Sequence, residues 1–66
     1  MYAEHCNYAI EINDDSMNDV IKNVNIFSLH NGKSLPKYPK REIGHKDQCY
    51  ALAIQIINAY IKVRGY

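Results

Sequence analysis

Ser16-Met17-Asn18-Asp19-Val20-Ile21-Lys22-Asn23-Val24-Asn25-Ile26-Phe27-Ser28-Leu29-His30 is the stretch on which the fold turns. At 100° per residue, Met17, Val20, Ile21, Val24 and Phe27 fall within an arc of roughly 120°, the stripe of an amphipathic helix. The flanks agree. Ser16 with Asp19 three residues on resembles a capping box. His30 falls in the last turn, and Gly32 offers a left-handed cap. Composition argues the other way, because Asn18, Asn23 and Asn25 are poor helix formers and the β-branched residues also cost propensity. A rival reading makes 25–30 a strand turning at Asn31-Gly32, a strong hairpin signal. The stripe favours a middle helix.

Upstream, Tyr8, Ile10 and Ile12 alternate with Ala9, Glu11 and Asn13, the period of a half-buried strand. Tyr and Ile also suit strands. The spacing predicts one strand within 2–13, with a short helix through Tyr2, Cys6, Ala9 and Ile10 as the rival. Asn13-Asp14-Asp15-Ser16 is a breaker and cap cluster. Downstream, 31–45 reads as a basic loop whose two prolines and two glycines exclude a regular helix. Loops of that length are usually functional or mobile.

Lys46 to Arg64 predicts a helix of about five turns. Asp47 lies in the first turn, with Lys62 and Arg64 in the last, as the macrodipole prefers. Gly65 follows as a stop. Gln48, Ala51, Gln55, Asn58, Ala59 and Lys62 form its polar stripe. The opposite arc, roughly 200° wide, holds Cys49, Tyr50, Leu52, Ala53, Ile54, Ile56, Ile57, Tyr60, Ile61 and Val63. A surface helix usually needs about half that apolar width. The expected fold is therefore α+β: one small domain with an N-terminal strand, a middle helix, a basic Pro/Gly loop and a long C-terminal helix. A small all-α bundle is the runner-up.

The breadth of that arc bears on assembly. A 66-residue chain has few other apolar residues to cover it, and exposed apolar faces are sticky. A homodimer is expected, packed through Tyr50, Ile54, Ile57 and Ile61. A lone strand per chain also needs a partner, and two copies of 2–13 can pair across a two-fold axis.

Composition narrows the function classes. At 47% hydrophobic and 23% charged, the chain is globular rather than disordered. Two cysteines exclude a disulfide-dense scaffold. No run of 18 apolar residues exists, so no membrane span is expected. The N-terminus lacks the basic and apolar regions of a signal peptide, which points to the cytoplasm and reduced thiols. Plentiful Ile, Asn, Lys and Tyr, with AT-rich codons, suit a phage- or plasmid-type accessory gene. The net charge of +1 hides a split: the first 20 residues carry −5 and the remainder +6. The simplest reading places the two parts side by side, neutralising each other.

Few constellations point to chemistry. His5-Cys6, His30, and His45 with Cys49 are soft or borderline ligands, but no Cys-x-x-Cys occurs and the spacing matches no zinc finger. Cys49 beside His45 lacks a third orienting group, and no phosphate-cradling Gly-rich loop is present. No cofactor, metal or enzymatic activity is expected. Lys33, Lys37, Tyr38, Lys40, Arg41, His45 and Lys46 form a basic loop with one aromatic, suited to phosphates and a stacked base. The pI of 7.8 is low for a nucleic-acid reader. Asp14, Asp15 and Asp19 suit a basic protein surface or phosphate mimicry. Tyr2, Tyr8, Tyr38, Tyr50, Tyr60 and Tyr66 are candidate interface anchors, with Tyr50 and Tyr60 assigned to the core. The expected function is a non-enzymatic interaction protein, an accessory regulator or inhibitor that binds a larger protein. The alternative is a nucleic-acid-binding module working through 33–46.

Overall fold

The computed structural model describes residues 1–64; the expected stop at Gly65 and the anchor Tyr66 lie outside the described residues. Four strands, β1 (Tyr2–His5), β2 (Tyr8–Asp14), β3 (Ile21–Ser28) and β4 (Arg41–Ile43), precede one helix, α1 (Lys46–Arg64). The strands form an antiparallel sheet in the order β1-β2-β3-β4. The fold is α+β, with one face of the sheet covered by α1.

The N-terminal segment is a hairpin rather than a single strand. Cys6 and Asn7 both take positive φ, 51° and 67°, the pattern of a two-residue type I′ turn whose twist matches the flanking strands. In β2, Tyr8, Ile10 and Ile12 are buried on the helix side. The period-two alternation places them there.

The expected middle helix is a strand, and the all-α alternative falls with it. β3 pairs with β2 from Lys22 to Ser28, Ile26 opposite Ile10 and Val24 opposite Ile12. Lys22, Val24 and Ile26 are buried on one face, a period of two. The helical stripe is not buried as a unit: Met17 is 90% exposed and Val20 lies open as well. The pairing with β2 decides the outcome. Asn23 and Asn25 weaken a helix but sit comfortably on the open face of a strand. The presumed N-cap region is instead a turn, in which Asp15 Oδ2 accepts from Met17 N–H and Asn18 Oδ1 accepts from Val20 N–H. The rival hairpin reading is closer. After Ser28 the chain turns through Gly32 at φ 73°, and Ser34 bridges back to Phe27.

The segment 33–43 follows the outer edge of β3. Ser28 N–H donates to Lys33 O and Val24 N–H to Lys40 O, while Leu35 N–H donates to Ile26 O. Between them Pro36 and Pro39 interrupt the ladder, since neither has an N–H. The chain resumes as β4, with Ile43 opposite Ile21 and Arg41 opposite Asn23.

The long helix matches its expected span. At its start, His45 N–H donates to Gln48 Oε1, the reciprocal half of a capping box. Its polar stripe is exposed throughout. Cys49, Ala53 and Ile57 are buried against the sheet, with Tyr50, Ile54, Ile56, Tyr60 and Ile61 packed around them. Ile10, Ile12, Ile26 and Ile57 are the largest fully buried side chains, each contributing roughly 1.5–3 kcal/mol. The Tyr8 and Tyr60 rings meet edge to face, 6.1 Å apart at 84°.

Candidate interaction surface

The sheet has two faces, and only one is covered by the helix. Strand alternation and the pairing registers put Tyr2 and Glu4 from β1, Ala9, Glu11 and Asn13 from β2, and Ile21, Asn23, Asn25 and Phe27 from β3 on the open face. β4 adds Arg41 and Ile43. Ile43 is 75% exposed and Tyr2 55%, whereas Ala9 is fully covered. Asn25 Nδ2 donates to Glu11 Oε1, and Tyr2 Oη donates to Glu4 Oε2 at 2.9 Å. The hydrogen bond to Glu4 is the main cause that holds the Tyr2 hydroxyl above its ordinary pKa; desolvation and the charges of Glu4 and Glu11 add to the rise.

The carboxylates of Asp14 and Asp15 are tied into the fold, whereas Asp19 takes part through its backbone carbonyl. Asp14 Oδ1 lies 3.2 Å from Lys22 Nζ, and that ammonium also donates to Asp19 O. Asp15 Oδ1 lies 3.2 Å from Arg41 Nη2. Asp15 follows β2 and Arg41 sits on β4, so this ion pair spans β3. The acidic first third and the basic remainder thus meet at two ion pairs.

The basic loop divides. Lys33, Lys37, Lys40 and Lys46 are exposed. Tyr38 is buried and is therefore no stacking platform. Its hydroxyl accepts from Ile26 N–H at 2.9 Å and donates to Asn25 Oδ1, while Lys40 Nζ sits 5.9 Å from its ring centroid. Pro36 and Pro39 leave a gap in the ladder, and this hydroxyl fills it.

The helix residues assigned to self-association also separate. Ile57 is fully buried in the monomer core. Tyr50, Ile54 and Ile61 are half-buried. His5 Nε2 meets Asn58 Oδ1 at 2.9 Å, and Asn58 lies beside Ile54 and Ile61 on the helix wheel. That flank therefore overlies β1. No lone strand calls for a second copy, because each chain builds a four-stranded sheet of its own.

Among the described residues no group of three or more His, Cys, Asp or Glu side chains is placed to hold a metal. No helix there is long and apolar enough to cross a membrane. Cys6 and Cys49 are unpaired thiols, one exposed and one buried. Burial is the main cause that holds the Cys49 thiol above its ordinary pKa; Glu42 adds to the rise and Lys22 opposes it.

Sequence reasoning missed Ile43, Phe27 and Ile21 as surface candidates. The signal was present as the alternation of Asn23 and Asn25 with Val24 and Ile26, read at the wrong period. No family model matches the chain, and no curated protein or solved structure matches it.

Proposed function

We propose that this chain is a non-enzymatic interaction protein, a cytoplasmic accessory regulator or inhibitor that binds a larger protein through the open face of its sheet. The observation that carries this reading is the exposure of Ile43 and Tyr2 on that face. Ile43, opposite Ile21, stands at one edge of that face and Tyr2 at the other, and exposed large apolar and tyrosine side chains are typical interface anchors. The surrounding charges give the partner its chemistry. With Arg41 matched by Asp15, Glu4 and Glu11 leave that face acidic, which suits a protein surface with an apolar centre and a basic rim.

The same carboxylates repel phosphates, and burial of Tyr38 removes the stacking ring from the basic loop. The nucleic-acid alternative then rests on exposed Lys33, Lys37, Lys40 and Lys46 alone. Self-association is part of the proposal, with Tyr50, Ile54 and Ile61 as the half-buried flank.

Affinity capture from the native cells, with and without nuclease, tests the class. A protein retained after nuclease treatment and through 200 mM salt supports the reading. Retention that nuclease abolishes, or oligonucleotide binding that falls steeply between 50 and 200 mM salt, overturns it in favour of phosphate contacts.

A further inference from the structure

β1 is an outer strand, paired on one side. Met1 exchanges both backbone hydrogen bonds with Ile12, and the register then makes Ala3–Ile10 and His5–Tyr8 the other bonded pairs. The N–H and C=O groups of Tyr2 and Glu4 accordingly point away from the sheet. Natural sheets blunt such edges with lysine, proline, a bulge or a very short strand. β4 is only three residues long, and Pro39 and Gly44 flank it. β1, four residues long with Glu4 its one carboxylate, contains neither lysine nor proline, and its ladder with β2 has no bulge.

We propose that the open side of β1 pairs antiparallel with β1 of a second copy, about a two-fold axis at Ala3, joining two sheets into one. The proposal rests on the self-association reading above and specifies its route. Only an axis that sets outward-pointing residues against each other makes hydrogen bonds. An axis at Glu4 puts two carboxylates directly opposite, which is destabilising. An axis at Tyr2 forms a single bonded pair. An axis at Ala3 forms two, each setting Tyr2 of one copy against Glu4 of the other, a hydroxyl donor facing a carboxylate acceptor. That hydroxyl already bonds the carboxylate two residues along its own strand, so the contact is exchanged between copies with its chemistry kept. At the axis the two chains approach closely, and Ala3 is small enough to allow it. The same pairing turns the Tyr50, Ile54 and Ile61 flanks of the two helices toward each other across the axis.

Sedimentation and amide exchange test this. The wild-type protein is expected to sediment at twice the 7.6 kDa chain mass, and Glu4→Pro at the single-chain mass. Proline at position 4 removes an outward N–H and leaves the β1–β2 bonds intact. A wild-type monomer at high concentration overturns self-association and this route together. A wild-type dimer that Glu4→Pro leaves intact overturns the edge route alone. Should Glu4→Pro not fold, exchange in the wild-type protein decides. Slowing of the Tyr2 and Glu4 amides as concentration rises supports the route, and fast exchange at every concentration overturns it.

Discussion

The Tyr38 hydroxyl accepts a hydrogen bond from the backbone N–H of Ile26 at 2.9 Å, where a neighbouring strand would supply a carbonyl. The contact holds 33–43 to β3 across the interruption made by Pro36 and Pro39, and so sets where β4 begins. Tyr38→Phe keeps the ring in the core and leaves the Ile26 N–H without its acceptor. An unsatisfied buried donor costs roughly 1–3 kcal/mol. For a domain of this size each kcal/mol lowers Tm by roughly 4–8 °C. Thermal melts of the two proteins check this, and equal midpoints refute the role.

Among the described residues Lys22 is the one charged residue in the core, with a side chain 10% exposed. Removing its partner leaves a poorly solvated cation, while removing the cation as well relieves the demand. Asp14→Asn is expected to cost about 1–2 kcal/mol, a figure reduced because Asp14 is half exposed. Lys22→Met is expected to be close to neutral, and the double variant to resemble Lys22→Met. Urea titrations of all three measure the coupling. Purely additive effects contradict it.

Cys49 gives a pH dependence with a defined sign. Its pKa is raised in the folded state, so its contribution is fully present below the ordinary thiol value of about 8.5 and is lost as pH rises through the folded value. The stability gap between wild type and Cys49→Ala should therefore narrow from pH 7 to pH 10. A constant gap rejects the assignment. A thiol reagent at pH 8 should label exposed Cys6 quickly and Cys49 only on unfolding.

How legible the molecule was in its sequence follows from the range of the contacts. The helix 46–64 was readable because its signals are local: a polar stripe, a charged first and last turn, and a 19-residue run without proline or glycine. The 16–30 stretch was misread because its hydrophobic residues fit a period of 3.6 as well as a period of two. What decides between them is the pairing of Val24 and Ile26 with Ile12 and Ile10, contacts that no local pattern displays. Tyr38 was misassigned for a related reason. A lysine-flanked tyrosine between prolines looks exposed, and only the gap in the ladder shows what its hydroxyl does. The meeting of acidic and basic segments was foreseen in outline, and Asp15–Arg41 and Asp14–Lys22 are its form.

The open sheet face is tested most directly by capturing the partner with three proteins side by side: wild type, Ile43→Asp, and a Lys33→Glu, Lys37→Glu, Lys40→Glu triple variant. Ile43 is exposed, so its substitution is expected to leave folding intact, which circular dichroism verifies. The expected result is a protein retained by wild type and by the triple variant and lost with Ile43→Asp. Retention by Ile43→Asp together with loss in the triple variant contradicts the open face as the binding surface and moves it to the basic loop.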